Sequence, residues 1–132
     1  MNKKILVLMP IDKLSDTEIS IRLEEIVNKV YDYFDIFDMK TKIKIIDSFD
    51  DIYRYTAPME CLINDLTNMD NADIIVFGDE YSSDINCSIE NMIAGYYGKK
   101  VLYESSIDVT LDIYRSNREI SEMMKHNKPI EG

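Results

Sequence analysis

The sequence predicts an α/β fold in which a doubly wound parallel sheet carries helices on both faces. Two observations carry that expectation. Four short apolar runs, "KILVLM" (4–9), "KIKIID" (42–47), "DIIVF" (73–77) and "KVLYE" (100–104), stand apart along the chain. Between them lie longer stretches whose apolar residues recur at helical spacing, so strand and helix patterns alternate.

The first and third runs are continuous and rich in β-branched residues, as expected of strands covered on both faces. "KIKIID" alternates and suits an edge strand with one wet face. The first helix spans 16–36. Ser15 and Glu18 form a capping-box signature at its start, and Ile19, Leu23, Ile26, Val27, Val30 and Phe34 make its stripe. A second helix follows "YTAP", with Pro58 in the first turn and a stripe of Met59, Leu62, Ile63, Leu66 and Met69. The third runs from about Asp84 to Tyr97 and stops at Gly98, a left-handed C-cap. A fourth begins at Ser116, with a capping-box Glu119, and carries Ile120, Met123 and Met124. "VTLDIY" (109–114) admits a fifth strand. The expectation is a Rossmann-like sheet of four to five strands in a single domain over 1–132, with 110–132 as a helical C-terminal extension.

With 132 residues the chain has the length to bury one core. Its 25 acids against 15 bases give a net charge of −10. That field repels duplex nucleic acid and anionic membranes, which leaves a small ligand in a local pocket as the expected partner. Two cysteines, Cys61 and Cys87, and one histidine, His126 in what reads as a tail, support neither a metal site nor a Ser-His-Asp triad. The apolar opening "ILVLM" is too short to span a membrane and lacks a small-residue cleavage site, so it reads as a buried strand of a soluble, cytoplasmic protein.

In a doubly wound sheet ordered 2-1-3-4, ligands bind beyond the carboxyl ends of strands one and three, where neighbouring connections diverge. "MPID" (9–12) and "GDEYSSDINC" (78–87) then line the crevice. The candidate contacts are Met9, Pro10, Ile11, Asp12, Gly78, Asp79, Glu80, Tyr81, Asn86 and Cys87. Neither G-x-G-x-x-G nor G-x-x-x-x-G-K-[ST] occurs, and both loops carry carboxylates where a phosphate would sit, so classical NAD or ATP binding is not expected. No cofactor is expected. A pyrophosphate ligand would need Lys13, Arg54, Arg115 or Arg118 brought in from elsewhere. Glu90 lies about two turns into the third helix, beside the apolar stripe of Ile85, Ile89, Met92 and Tyr96. Its side chain leans toward the helix N-terminus, which leaves open a solvated flank acid or a carboxylate reaching the crevice.

Three segments, "ILVLMPI", "LINDLTNMDNADIIVF" and "CSIENMIAGYYGKKVL", resemble the nucleoside 2-deoxyribosyltransferase-like superfamily. That superfamily includes 2'-deoxynucleoside 5'-phosphate N-hydrolases and many short phage and bacterial proteins. Pro10, Ile11, Asp65, Asp73, Cys87, Glu90, Ala94, Gly98 and Lys99 match its pattern in order and spacing, over about three quarters of the chain. The resemblance implies that Glu90 attacks an anomeric carbon and holds the sugar as a covalent ester, while a second acid protonates the departing base. Asp79 and Glu80, on the crevice loop, are placed for base contacts, and Asp79 is the candidate acid. Asp73 precedes the third strand, at the wrong end for the crevice, and reads as structural. Asp65 matches an acidic family position and also reads as a solvated face residue of the second helix. Met9 and Asn86 stand where the family keeps glycine, which reshapes the pocket. Tyr81 is the candidate base-stacking ring, and Tyr53, Tyr55, Tyr96 and Tyr97 fit a ligand, a core or a subunit interface.

Two functions follow. One is N-glycosidic bond cleavage or transfer on a (deoxy)nucleoside or nucleotide through a glycosyl-Glu90 intermediate. The other is a non-catalytic module that sequesters or senses a nucleotide-derived ligand. Both imply a homodimer or higher homo-oligomer, since relatives of this type complete their pockets across subunits.

Overall fold

The computed structural model describes residues 2–11, 14–37, 42–46 and 58–126. In chain order the elements are β1 (Asn2–Leu8), α1 (Asp16–Phe37), β2 (Lys42–Ile46), α2 (Pro58–Asn71), β3 (Ile74–Phe77), α3 (Ile85–Tyr96), β4 (Lys100–Tyr103) and α4 (Glu104–His126). The four strands pair in parallel in the order β2-β1-β3-β4, the order expected from the sequence. The two continuous apolar runs take the centre. Ile5 to Leu8 and Ile74 to Phe77 are each 2% exposed or less, because the sheet is covered on both faces.

Strand alternation sorts those side chains into two cores. Ile5, Val7, Ile74 and Val76 pack with Ile19, Ile26, Val30 and Phe34 of α1 and with Ile107 and Leu111 of α4. Leu6, Leu8, Ile75 and Phe77 pack on the opposite face with Met69, Ala72 and Ala94, from α2, its end and α3. At the lower edge Asp73 fixes the register of β1 against β3. Its backbone N–H donates to the Lys4 carbonyl at 2.8 Å, and its Oδ2 accepts from the Lys4 N–H at 2.8 Å. Asp73 is structural, at the end of the sheet away from the crevice.

The helix ends follow from local chemistry. Ser15 and Glu18 exchange side-chain-to-backbone hydrogen bonds of 3.2 Å across the first turn of α1. Asp84, extended, accepts from the Cys87 N–H at 2.9 Å and caps α3. After α3, Gly98 adopts φ +67°, and Lys99 Nζ donates to the carbonyls of Asp70 and Ala72 at 3.2 Å, satisfying the last turn of α2 and the residue after it.

The C-terminal quarter differs from expectation. Residues 109–114 form no fifth strand, and the last helix begins at Glu104 rather than Ser116, running directly out of β4. Of the extension expected over 110–132, residues 110–126 are thus the later part of a 23-residue helix, which position 126, expected in a tail, closes; 127–132 lie outside the described residues. The alternation of Val109, Leu111 and Ile113 competes with a helical pairing of Ile107 and Leu111, four residues apart. That pairing wins because both side chains are buried on the α1 side of the sheet. Local pattern is overridden by tertiary burial. Among the described residues, no helix is long and apolar enough to cross a membrane.

Two glycines of the α3 region separate conformational need from freedom. Gly95 lies inside α3, exposed, with open space where a Cβ would stand. Gly95→Ala is predicted to stabilise by about 0.5–1 kcal/mol. Gly98→Ala places a Cβ in the left-handed region and is predicted to cost about 1–2 kcal/mol. Urea unfolding midpoints of opposite displacement check the pair.

Candidate functional site

Beyond the carboxyl ends of β1 and β3 the diverging connections leave a crevice of about 410 Å³, lined by Met9, Pro10, Leu14, Glu18, Ile21, Arg22, Glu25, Asp79 and Glu80. Its volume is in the range of small-molecule sites. The two strands close tightly at its floor. Gly78 donates to the Leu8 carbonyl at 2.8 Å, and a Cβ at Gly78 would stand 2.9 Å from Ile26 Cδ1 and 3.0 Å from Met9 Cβ. Met9 is 5% exposed, so it packs against this glycine more than it projects into the opening. Glu80 holds a left-handed φ of 67° and starts the 3-10 turn of Tyr81–Ser83.

Behind the crevice wall lies a buried ion network that the sequence did not reveal. Glu104, 1% exposed, accepts from Arg22 Nη1 at 2.7 Å, from Arg22 Nη2, from Lys29 Nζ at 2.8 Å and from the Asp79 backbone N–H at 2.8 Å. Lys29 also bonds Asp108 at 3.1 Å. Burial by itself pushes the Glu104 carboxyl up, but the hydrogen bonds from Arg22, Lys29 and Asp79 outweigh it and hold the group down at about 2. Its stabilising contribution is therefore present above the ordinary carboxylate range and lost as pH falls toward 2. Carboxylate oxygens of Asp79, Glu104 and Asp108 lie within 4.8 Å of one another. Arg22 and Lys29, both bonded to Glu104, offset two of the three negative charges of this cluster.

Glu90 has the opposite surroundings. It is 1% exposed on the α2/α3 side of the sheet, hydrogen-bonded to Asp65, itself 5% exposed, while its Oε2 has no hydrogen-bond partner. Burial, then the charge of Asp65, raises its pKa to about 10, with Asp84 and Cys61 pushing the same way. The adjacent Cys87 thiol is pushed up by burial and next by Glu90, so it is no thiolate nucleophile. The pair of carboxyls thus holds a proton at neutral pH, as closely placed acids do when no cation relieves them.

The predicted residues divide between the two faces. Met9, Pro10, Asp79 and Glu80 line the crevice, and Gly78 forms its floor. Ile11 packs at the margin of the α1 core and accepts from the Leu14 N–H at 3.2 Å. Asn86 and Cys87 occupy the first turn of α3, Asn86 half-buried and Cys87 buried. Tyr81 lies over Phe77 and Tyr103, with ring centroids at 5.4 and 5.2 Å, on the α3 side. Asp79 stands with Arg22 and Glu104, whereas Glu90 stands with Asp65, so the structure brings Glu90 together with Asp65 and not with Asp79. Asp65 is a buried partner, not the solvated face residue that helical spacing suggested. Asp12, Lys13, Tyr53, Arg54 and Tyr55 lie outside the described residues. Sequence reasoning missed Glu18, Ile21, Arg22 and Glu25 as a wall. Their i, i+3, i+4, i+7 spacing, one flank beside the core stripe of α1, is the signal that could have found them.

Compared with protein-family models, with curated proteins and with solved structures, the chain finds no match in any of the three.

The titration of Glu90 fixes a testable sign. Its folded pKa of about 10 stands above that of the unfolded chain, so the stability it permits is complete below the ordinary carboxylate range and falls as pH rises toward 10. Glu90→Gln stays neutral at every pH, and its amide can donate to Asp65. The variant is predicted to gain on wild type as pH rises from 5 to 9, by on the order of 1 kcal/mol per pH unit. Urea unfolding at pH 5, 7 and 9 measures it; a variant less stable than wild type at all three would refute the buried neutral carboxyl.

Proposed function

We propose that this chain is a binding module for a nucleoside- or nucleotide-like ligand, held in the crevice beyond β1 and β3. The observation that carries the reading is the lining of the crevice. Pro10, Leu14 and Ile21 offer apolar surface suited to a flat base, and Glu18, Glu25, Asp79 and Glu80 offer acceptors to hydroxyl and amine donors. The resemblance of "CSIENMIAGYYGK" and "ILVLMPI" to nucleoside 2-deoxyribosyltransferase-like proteins points to the same ligand class, and a cytoplasmic location is part of the proposal.

A second reading, N-glycosidic bond cleavage or transfer, is favoured by the unpartnered oxygen of Glu90 beside Asp65. Buried carboxyls without a cation are costly and concentrate at functional sites. One proton shared by two carboxyls supplies one anion and one acid. In this reading the shared proton passes from Glu90 to Asp65, the Glu90 carboxylate attacks the anomeric carbon, the C–N bond breaks, and Asp65 gives that proton to the departing base. Water or another base then releases the sugar from the ester. The sugar must first gain access to a carboxylate that is now 1% exposed, which is why binding is the leading reading.

Incubation with the common nucleosides and their 5'-monophosphates, read by thermal unfolding and by chromatography for free base, separates the two. Thermal stabilisation without base release is the expected result. Release by wild type that Glu90→Ala abolishes would establish the glycosidic reaction instead, and neither stabilisation nor release would overturn both.

The proposal includes a homodimer, supported by α4. Residues 112–125 of that helix are exposed, and Ile113, Ile120, Met123 and Met124 are each more than half exposed. Their charges balance, with Asp112, Glu119 and Glu122 against Arg115, Arg118 and Lys125, in a chain of net charge −10. A second copy meets least repulsion there. Sedimentation velocity is expected to give a dimer that Ile120→Glu with Met124→Glu converts to monomer; a wild-type monomer at tens of micromolar would refute it.

A further inference from the structure

We propose that Glu104, which does not line the crevice, sets its ligand selectivity: by holding the fork of Arg22 it reserves the crevice for unphosphorylated, donor-bearing ligands and excludes phosphorylated ones. The inference rests on the reading that the crevice is the ligand site, and it narrows that ligand from nucleoside or nucleotide to nucleoside.

Among the described residues that line the crevice, Arg22 is the one cation, against the carboxylates of Glu18, Glu25, Asp79 and Glu80. A phosphate entering there would need that guanidinium, since bidentate guanidinium contacts are the strong means of holding one. Both terminal nitrogens of Arg22 already donate to Glu104, and Nη1 also lies 3.5 Å from Glu25 Oε2. Glu104 is buried, so its hold is little weakened by solvent. The same carboxylate fixes the Asp79 backbone N–H at 2.8 Å, which removes a second donor that a phosphate could use. What remains toward a ligand is an acceptor-rich rim. Glu18 spends one oxygen on the Ser15 N–H of its capping box; Asp79 and Glu80 are exposed. Such a rim suits an exocyclic amine and sugar hydroxyls and repels a dianion.

Glu104 is thus a positioning residue, acting through Arg22. Removing its charge while keeping an acceptor, as in Glu104→Gln, leaves the Asp79 N–H bonded and frees the Arg22 charge toward the crevice. Arg22 and Lys29 have side chains about one third exposed, at 29% and 32%, so both can regain water and the fold is expected to survive.

Calorimetric titration of the full chain with adenosine, adenosine 5'-monophosphate and inorganic phosphate tests the proposal. Wild type is expected to bind adenosine at least about tenfold tighter than the monophosphate, a difference that narrows as salt screens the rim. Glu104→Gln is expected to tighten monophosphate binding by about tenfold and to leave adenosine within about twofold, and adding Arg22→Gln should abolish the gain. If Glu104→Gln fails to fold, Glu25→Gln with Glu80→Gln, both at exposed positions, is expected to move the monophosphate in the same direction. Equal affinity of wild type for adenosine and its monophosphate, or no change in monophosphate affinity in any variant that folds, overturns the role of Glu104. Failure of wild type to bind adenosine or the monophosphate is a different result and overturns the ligand reading beneath it.

Discussion

One buried carboxylate organises the upper edge of this molecule. Glu104 is the first residue of α4, directly after β4, and it gathers Arg22 and Lys29 from α1 and the Asp79 N–H from the end of β3. Three segments distant in sequence are therefore tied at one point, behind the crevice they enclose. The arrangement is stable because every oxygen of the buried group is satisfied and two cations compensate its charge. A buried ion that lacked either would cost more than it returns. The wall of the crevice, the start of α4 and the path of the β3–α3 connection all depend on this one satisfied charge.

Glu90 shows what the same functional group becomes without such partners. Both glutamates are 1% exposed, yet one is held at about 2 and the other at about 10. Desolvation pushes both upward; the difference is that Glu104 meets a guanidinium and an ammonium, and Glu90 meets Asp65. The sheet separates them, with Glu104 on the α1/α4 face and Glu90 between α2 and α3. Charge and donor satisfaction therefore make one face a stable, ionised scaffold beside an open crevice. The other keeps two carboxyls that share one proton, with Glu90 Oε2 unpartnered, out of water.

Much of the architecture was legible in the chain. Continuous apolar runs marked the central strands, the Ser15/Glu18 box and Gly98 marked helix ends, and the order of elements implied the switch point between β1 and β3. These features are written in short stretches whose chemistry is local. Legibility failed where a local pattern had two solutions. Residues 109–114 alternate as a strand does, and only the burial of Ile107 and Leu111 on the α1 side of the sheet makes them helix. It failed again at Asp65, whose helical position suggested a solvated face until α3 packed against α2. The wall formed by Glu18, Ile21, Arg22 and Glu25 was within reach of periodicity, but Glu104 was not, because a carboxylate at a strand-to-helix junction carries no signature of the cations it will meet.

The sequence by itself determined the class of fold, the parallel order of its strands and where a crevice must open, because hydrophobic period and capping chemistry act over a few residues. Only the tertiary structure decided which acids ionise, which residues share a face with them and that Glu90 lies apart from the crevice, because ionisation and access depend on partners brought from far along the chain. Those partners exist only once the sheet is covered on both sides.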